Sequence, residues 1–396
     1  MMDLQSAIDH KIDDIYDEIV QLRRTIHENP ELGLDLFNTA ELVASALEAE
    51  GIPLTRNIGK TGIVALIETA KPDPCVLLRA DMDALPLTEK TGFSYASKTA
   101  GRMHACGHDL HAASLVGIAK VLWHLKDRIG GTYKLVFQPG EESLNGAESM
   151  ITDGVLENPV PQAAFGFHNW PLLDTGLAAY HPVVSFAGSQ SFSITLTGVS
   201  GHGAHPHKAI DTIAAAANLI IQLQTIVSRE IAPVKPAVVS VGRIEGGTAE
   251  NIIAETVHLY GTIRAMDPAV LEHIRNAMTR LLVGLKSGMR VSCEVSFGKQ
   301  VPPLINDKAI LGHTIASAKA ALGDEQVVQM PEDSMGAEDF AFITSKIPAA
   351  HLRIGSRVPG GETTMIHTSD FAPDENFLRV AMRLMSQVVI DFCDRG

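Results

Sequence analysis

The sequence predicts an α/β protein in which a mostly parallel, helix-covered sheet is interrupted by a ferredoxin-like α+β insert. Before the insert, helix-like stretches alternate with short apolar runs, which is typical of parallel strands connected by helices. From 188 to 298 the order becomes strand, helix, strand, strand, helix, strand, the βαββαβ order of a ferredoxin-like domain. We therefore expect one domain over residues 1–187 and 299–396 and an inserted domain over residues 188–298.

The first domain is predicted to contain helices at 3–29, 38–50, 109–127 and 144–155 and strands at 62–68, 75–80, 132–138 and 163–168. The insert is predicted to contain the strands QSFSITLTGV, AVVSVGRI, TVHLYGTIR and RVSCEVSF, a helix from Ala209 to Arg229 and a helix over DPAVLEHIRNAMTRLLVGLK. The chain is predicted to return to the first domain through a helix at 307–322, a strand at AAHLRIG and a helix at 374–394.

Length and composition fit a protein that works on small molecules. With 396 residues, of which 45% are hydrophobic, the chain can fill more than one core, so at least two domains are expected. The 46 acidic residues exceed the 32 basic ones, and no long basic run is present, which argues against a nucleic-acid or anionic-membrane partner. No apolar run approaches the roughly 20 residues needed to cross a bilayer.

The cysteines and the first residues predict a cytoplasmic location. Cys75, Cys106, Cys293 and Cys393 are widely spaced, which does not suggest a disulfide framework. The opening residues are acidic and amphipathic, whereas a secretory signal is basic and then apolar. We interpret Cys75, Cys293 and Cys393 as core or surface residues.

Side chains of metal-binding types stand at the ends of strand-like runs that are far apart in the sequence: Cys106, His108, Glu142, His168 and His367. Each is commonplace alone, but open α/β sheets place their ligands outside the carboxyl ends of strands. Thiolate, imidazole and carboxylate groups bind zinc and neighbouring divalent ions, and five of them exceed what one tetrahedral ion needs. The joint pattern predicts two metal ions that share a ligand, and it requires His367 to fold back beside Cys106.

Glu141 directly precedes one of these ligands, Glu142. In an extended segment two adjacent side chains point in opposite directions, so one carboxylate can bind metal while the other handles protons. A two-metal site lowers the pKa of water, but a nearby base must take the proton and deliver it to a leaving nitrogen. The pair therefore indicates a metal-assisted hydrolase with Glu141 as its base.

Several longer motifs resemble those of a known family. They are RADMDALPLTE, GRMHACGHDLHAA, FQPGEES, GFHNWP, GVSGHGAHPH, GTAENIIAE, GTIR and AEDF. Over nearly its whole length the chain is similar to the M20 metallopeptidases, specifically the branch of hippurate hydrolases and aminoacylase-like N-acyl-amino-acid amidohydrolases. Several long motifs in the right order are far more specific than one short pattern. The resemblance implies a dinuclear metal catalytic domain and an insert that serves as lid and dimerisation domain.

The resemblance also implies roles for residues of the first domain. Cys106 occupies the place of the bridging Asp of other branches, and the four other potential ligands complete a two-metal site. Glu141 matches the general base, and Asp83 matches an Asp that lies just behind the metals. Asp81 falls where other branches carry a ligand His and is not expected to bind metal, because His108 replaces that ligand.

In the insert, His202 matches a family histidine that reaches into the partner subunit's active site, where an imidazole donor stabilises the tetrahedral oxyanion. Asn251 and Arg264 match polar positions that face the substrate, and a guanidinium suits the α-carboxylate of an acylated amino acid. The alternatives are a solvated turn at His202 and a strand-end ion pair at Arg264. His205 and His207 are interpreted as loop residues. The resemblance implies a homodimer, with a tetramer as the alternative.

The function implied is hydrolysis of N-acyl-L-amino acids, such as N-acetyl or hippurate-like compounds, to a carboxylate and a free amino acid. The alternatives are a dipeptidase or carboxypeptidase, an N-carbamoyl-amino-acid hydrolase, and a non-catalytic metal-binding protein. Two divalent ions per subunit are expected, and the ligand set suits zinc, manganese, cobalt or nickel. One departure from the family pattern is Ser369, where a proline is expected; it leaves His367 in place.

Overall fold

The computed structural model, which describes residues 3–394, divides into two units. The first extends from the start of the described chain to Ser185 and includes Ile305–Asp333 and the residues from Asp339 onward. The second comprises Phe186–Leu304 and Ser334–Glu338. The limits predicted for the insert were 188 and 298, and the segment at 334–338 was placed in the first domain. It belongs to the second unit because the N–H of Ala187 donates to the carbonyls of Ser334, at 3.2 Å, and Gly336, at 2.9 Å.

The α-helices of the described residues are, in chain order, α1 Leu4–Glu28, α2 Phe37–Glu48, α3 His108–Leu125, α4 Gly146–Thr152, α5 Thr212–Thr225, α6 Pro268–Met289, α7 Lys308–Leu322, α8 Ala341–Thr344 and α9 Phe377–Asp394. The strands are β1 Leu54–Ile58, β2 Gly62–Glu68, β3 Cys75–Asp81, β4 Thr132–Gln138, β5 Ala163–Asp174, β6 Ala178–Tyr180, β7 Val184–Phe186, β8 Gly188–Thr197, β9 Gly201–His202, β10 Ala237–Gly246, β11 Ile252–Ile253, β12 Thr256–Ala265, β13 Ser292–Val301, β14 Leu304–Ile305, β15 Val327–Gln329 and β16 Ala349–Arg357. The strands β1, β6, β7, β9, β11, β14 and β15 and the helix α8 were not predicted, because such short runs carry too little periodicity. No helix within residues 3–394 is both long and apolar enough to span a membrane.

The first unit is built on an eight-stranded sheet in the order β1-β2-β4-β3-β5-β16-β6-β15. The central strands β4, β3, β5 and β16 run parallel to one another. Antiparallel pairs occur between β1 and β2, between β2 and β4, and between β16 and β6. The predicted α/β class with a mostly parallel sheet is therefore confirmed, and the sheet is mixed towards its ends.

Helix α3 packs against both α1 and α9. Nearly all of its residues are buried, including polar ones such as Asp109 and Lys120. Gly117 allows close approach to α9, because a Cβ at this position would overlap the sulfur of Met382. The position of α3 is thus set by packing along its length, and so is the position of its first residue, His108.

The second unit contains a four-stranded antiparallel sheet in the order β10-β12-β8-β13, against which α5 and α6 pack. In β8, the buried residues Phe192, Ile194 and Leu196 alternate with more exposed ones, so one face of the sheet is apolar. Leu219 of α5 and Leu271 of α6 belong to the same buried cluster. This arrangement of strands and helices is that of the predicted ferredoxin-like insert.

Candidate metal centre

The side chains predicted to bind metal meet at the carboxyl edge of the parallel strands. Strands β3 and β4 end side by side, with Asp81 paired to Gln138, and the turn that carries Glu141 and Glu142 follows β4. Residues 82–107 connect β3 to α3, so Cys106 lies just before the helix whose first residue is His108. The site therefore forms where open α/β sheets place their ligands.

His168 does not stand at the end of its strand, which corrects one expectation from the sequence. Strand β5 continues to Asp174, because its residues remain paired with β16 as far as Arg357. His168 is therefore held within a strand by its pairing with β16, opposite Arg353, rather than carried on a loop.

Cys106 lies between two groups of potential ligands. Its Sγ is 3.4 Å from Nε2 of His168 and 3.3 Å from Nε2 of His367. The ligand atoms of Cys106, His108 and His168 lie within 4.8 Å of one another, and so do those of Cys106, Glu142 and His367. Cys106 is the member that both groups share. Two ions bridged by one thiolate need such an arrangement.

Two buried atoms of this cluster have no hydrogen-bond partner within the described chain, namely Nε2 of His108 and Oε1 of Glu142. They are 4.0 Å apart, too far for a hydrogen bond. Because zinc binds nitrogen and oxygen at about 2.0–2.2 Å, one ion beside each atom would satisfy both of them. Buried polar atoms are costly without a partner, so the two atoms and the donor types around them fit metal ions.

Asp83 orients two ligand segments at once. Its Oδ1 lies 3.3 Å from Nδ1 of His108, so this nitrogen donates and Nε2 of the ring faces the cluster. The two carboxylate oxygens also accept the backbone N–H groups of Glu141 and Glu142, each at 3.0 Å. One buried carboxylate thus selects the tautomer of one potential ligand and holds the turn that carries another.

Three groups of the cluster have raised pKa values. Burial lowers the pKa of His108, but nearby carboxylates, chiefly Asp81, outweigh burial and raise it to about 10. Burial and the neighbouring glutamate charges raise the pKa of the Cys106 thiol well above its usual 9.0. Burial raises the pKa of Glu142 to about 7. Without metal, His108 and Cys106 therefore hold protons at neutral pH, and bound cations must displace them.

The pKa values of the other two imidazoles are lowered, which favours their neutral forms. Burial is the main cause that lowers the pKa of His168 well below 6.5, and burial also lowers the pKa of His367. Nδ1 of His168 donates to the carbonyl of Asn169 at 2.7 Å, which leaves Nε2 facing Cys106. The side chain of His367 is 52% exposed, so the cluster opens to solvent beside this residue.

The segment that carries His367 is held against the segment that carries Cys106. The N–H of His367 donates to the carbonyl of Ala105 at 2.7 Å, and the N–H of Lys90 donates to the carbonyl of Ser369 at 2.7 Å. The structure thus brings His367 beside Cys106, as the sequence required. Ser369 accepts the hydrogen bond from Lys90 with its backbone carbonyl, which a proline would also have. The presence of serine instead of the expected proline at this position therefore leaves the contact intact.

Sequence reasoning singled out Asp83 behind the ligands but not His111 or Arg79. Nδ1 of His111 donates to Asp81 at 2.6 Å, and its Nε2 accepts the N–H of Asn169 at 2.9 Å. Arg79 forms a buried ion pair with Asp81 at 2.7 Å. A signal for His111 was present, because it lies one helical turn after His108 and therefore on the same face of α3.

Glu141 lies beside the ligand groups. It is buried, and its carboxylate lies within 4.8 Å of the ligand atoms of His108 and Glu142. The backbone N–H of Asp339 faces Oε1 of Glu141 at 3.4 Å. The Asp339 carboxylate in turn accepts hydrogen bonds from Arg79, at 2.8 Å, and from other buried donors. Glu141 is therefore supported from its own turn and from the AEDF motif.

The three residues singled out in the insert lie in the second unit. Strands β9 and β11 pair, and the N–H of Gly203 donates to the carbonyl of Asn251 at 2.8 Å, so the structure brings His202 and Asn251 together. Both are exposed. Arg264 lies on β12, and its Nη1 donates to the carbonyl of Met335 at 2.8 Å.

The model of peptidase family M20/M25/M40 matches residues 77–391. The chain belongs to this family. The N-acetyl-L-cysteine deacetylase of Bacillus subtilis is 37% identical over 340 residues, which cover 86% of this chain and 80% of that protein. Thermostable carboxypeptidase 1 of Saccharolobus solfataricus is 35% identical over 399 residues, which cover 100% of both chains.

A solved structure shows the same fold over almost the whole length. The crystal structure of the Bacillus subtilis YXEP protein, a dinuclear metal binding peptidase from the M20 family, matches this chain with a TM-score of 0.85. The two chains are 31% identical, and the match covers 97% of this chain and 99% of the other. The predicted M20 membership is confirmed, and the chain is an amidohydrolase of this family.

Proposed function

We propose that this M20 amidohydrolase cleaves N-acyl-L-amino acids, with acetyl or hippurate-like acyl groups, to a carboxylate and a free amino acid. The observation that carries the proposal is the cluster in which two groups of potential ligands share the buried Cys106, with Glu141 directly beside them. One relative is an N-acetyl-L-cysteine deacetylase and another a carboxypeptidase. Both names fit a substrate whose amide nitrogen belongs to an amino acid with a free α-carboxylate.

Two divalent ions per subunit fit the cluster, and zinc, manganese, cobalt and nickel all accept its ligand types. Cys106, His108 and His168 would hold one ion, and Cys106, Glu142 and His367 would hold the other. When bound, such ions polarise a carbonyl group and lower the pKa of water.

Glu141 carries the proton in the proposed reaction. It takes a proton from the attacking water, whose oxygen bonds to the amide carbon. It then delivers that proton to the leaving nitrogen as the carbon–nitrogen bond breaks. The N–H of Asp339 at its Oε1 and the hold of Asp83 on its backbone keep the carboxylate in place for both transfers.

The insert supplies groups that bind and polarise the substrate. The guanidinium of Arg264 binds the α-carboxylate of the substrate. It has five N–H donors, and because only one of the contacts described, that to the Met335 carbonyl, uses Nη1, donors remain for the carboxylate. Nδ1 of His202 accepts the N–H of Ala204 at 3.0 Å, so the neutral ring carries its proton on Nε2. This N–H donates to the tetrahedral oxyanion, and Asn251 adds a polar group beside it.

The active form in this proposal is a homodimer built through the second unit, in which His202 serves the partner's site. Strands β10 and β13 are the edges of the four-stranded sheet, and edge strands offer unpaired backbone groups to another chain. Light scattering on the protein as it elutes from a size-exclusion column is expected to give about twice the chain mass of 42.4 kDa. A single-chain mass would contradict the dimer, and a fourfold mass would favour the tetramer.

A reducing compartment such as the cytoplasm suits this site, because Cys106 must remain a thiol to bind metal. All four cysteines of the chain are free. Recovery of the native protein with secreted or periplasmic proteins on cell fractionation would contradict this location.

The test of the proposed function is the release of free amino acids from a substrate panel. Metal-reconstituted protein is incubated with N-acetyl, N-benzoyl and N-carbamoyl amino acids and with dipeptides, with and without a chelator. Release from the N-acetyl or N-benzoyl compounds that the chelator abolishes is the expected result. Release confined to dipeptides or to carbamoyl compounds would replace the proposed substrate class, and no release from a protein with two bound ions would contradict it.

A further inference from the structure

Asn169 follows the potential ligand His168, is fully buried, and uses each of its polar groups near the cluster. Its backbone N–H donates to Nε2 of His111 at 2.9 Å, and its backbone carbonyl accepts from Nδ1 of His168 at 2.7 Å. Its side-chain NH₂ donates to the carbonyl of Cys106 at 2.5 Å, and its side-chain carbonyl accepts from the hydroxyl of Ser356 at 3.1 Å. Only the last two bonds depend on the side chain.

The bond to Cys106 acts on the peptide group next to the shared ligand. Gly107 follows with a φ of 85°, a conformation that favours glycine, and a Cβ on Gly107 would overlap Nδ2 of Asn169. The amide therefore fills the space that a side chain at this position would need. Its hydrogen bond holds the Cys106 carbonyl, and with it the backbone from which Sγ reaches His168 and His367.

The orientation of the Asn169 amide is determined by its neighbours. Nε2 of His111 accepts the backbone N–H of Asn169, so it carries a lone pair, and the ring proton is on Nδ1 facing Asp81. Nδ2 of Asn169 lies 3.1 Å from this same Nε2 and 2.5 Å from the carbonyl oxygen of Cys106. Turning the amide over would place its oxygen against two acceptors, so the NH₂ group faces Cys106.

We propose that Asn169 is a positioning residue for the metal site: its side-chain NH₂ holds the Cys106 carbonyl so that Sγ lies where two ions share it. The inference deepens the proposed function and rests on the two-ion site. Replacing an outer partner of a metal ligand typically weakens metal binding about 10–100-fold. Asn169 acts through the backbone of Cys106, so its loss changes metal binding first and turnover only through it.

Three substitutions separate this role from general destabilisation. Asn169→Asp keeps the side-chain volume but replaces the donor with an oxygen that faces the Cys106 carbonyl. Ser356→Ala removes only the hydroxyl that holds the amide. Asn306→Ala is the matched control, because Asn306 is also buried and its amide donates to a carbonyl, that of His181, which is not a potential ligand.

The experiment adds cobalt(II) chloride to the metal-free full-length proteins. The thiolate-to-cobalt charge-transfer band and the cobalt affinity by calorimetry are measured, with thermal unfolding of the metal-free proteins alongside. We expect the band in the wild type and about 10–100-fold weaker cobalt binding with a lost or shifted band in Asn169→Asp. Ser356→Ala is expected to change the band and the cobalt affinity in the same direction as Asn169→Asp, but by a smaller amount. Asn306→Ala is expected to keep the wild-type band and affinity even where its melting temperature falls.

An Asn169→Asp protein with the wild-type band and affinity overturns the inference, and so does an Asn306→Ala protein with equal losses. If Asn169→Asp does not fold, Ser356→Ala decides: weaker cobalt binding supports the inference, and unchanged band and affinity overturn it. A wild-type protein without the band overturns the shared thiolate and the inference with it. Failure of the proposed function appears separately, as a wild-type protein that shows the band but releases no amino acid.

Discussion

Glu141 and Glu142 are neighbours in the sequence but have different surroundings. Burial raises the pKa of Glu142 to about 7, and its Oε1 faces Nε2 of His108 and Nε2 of His367. Oε1 of Glu141 instead faces the backbone N–H of Asp339. These neighbours suit Glu142 for binding a cation and Glu141 for exchanging a proton.

Glu141→Gln keeps the size of the side chain but removes the base, so we expect kcat to fall about 10²–10⁴-fold. The metal content is expected to stay at the wild-type level, because Glu141 belongs to neither group that shares Cys106. Steady-state kinetics and metal analysis test both points. Glu148→Gln, on the exposed side of α4, is the control and should keep the wild-type kcat. A Glu141→Gln protein with full activity and both metals would contradict the assignment.

Metal binding at neutral pH is expected to release protons. The pKa of His108 is about 10 and that of Cys106 lies well above 9.0, so both groups are protonated at pH 7 without metal. Both must lose their protons to bind, and Glu142, whose pKa is about 7, loses about half a proton more. We therefore expect release of about two to three protons as the site fills, and an affinity that increases with pH. Calorimetry of zinc binding in buffers of different ionisation enthalpy counts these protons.

The raised pKa of His108 also makes the stability of the metal-free fold depend on pH. Because the folded chain raises the pKa of His108 above 6.5, this group stabilises the metal-free fold fully below pH 6.5 and loses the contribution as the pH rises towards 10.

The Cys106→Ala variant is the control for counting the protons released on metal binding, since it should release about one proton fewer. A zinc affinity that does not change with pH around neutrality would contradict the assignment of the released protons to His108 and Cys106.

At the scale of elements, two connections between regular structures bring the ligands together. Residues 82–107 link β3 to α3, and residues 358–376 link β16 to α9. Met103, Ala105 and Phe371 form a small buried cluster where the two connections meet. This cluster lies next to the backbone bond between His367 and Ala105, so it supports His367 from behind.

Phe371→Ala is therefore expected to lower the free energy of unfolding by about 3–5 kcal/mol. We also expect weaker zinc binding, because His367 loses its support. Phe192→Ala removes an equal apolar group from the core of the second unit and should destabilise that unit without changing zinc affinity. Chemical denaturation and calorimetry compare the two variants. Wild-type zinc affinity in Phe371→Ala would show that the cluster does not position His367.

At the scale of the whole molecule, the groups proposed for one reaction are divided between two units. The ligand cluster and Glu141 belong to the first unit, and His202 belongs to the second. In the proposed dimer each site takes His202 from the partner subunit. Two inactive variants with complementary defects are then expected to restore each other.

The experiment mixes Glu141→Gln with His202→Ala under conditions that exchange subunits. A mixed dimer has one site with both groups intact, so activity of about a quarter of the wild type is expected after random exchange. Each variant incubated alone is the control and should remain at its own low activity. No gain in activity, although mass spectrometry shows mixed dimers, would place His202 in the site of its own subunit.

The types of the ligands could be predicted from the sequence because they stand in long motifs beside apolar runs. The role of Asn169 could not, because an asparagine inside a strand follows no distinctive local pattern. The spacing of His111 from His108 places both on one face of α3 but does not identify the partner of His111. The partners of His111 and Asn169, namely Asp81 and Cys106, are distant in the chain and meet them only because the sheet, α3 and the connection at 82–107 pack together. The pairing of β5 with β16 places His168 inside a strand, where the sequence predicted a strand end.

The sequence by itself determined the alternation of helices and strands, the ferredoxin-like order of the insert and the chemical types available to the site. Only the tertiary structure decided which atoms meet: that Cys106 is shared by two groups, that Asp83 selects the tautomer of His108, and that residues 334–338 join the second unit. The physical reason is that side-chain chemistry and periodicity are local properties of the chain. The distance between remote residues depends instead on strand register and on packing between elements.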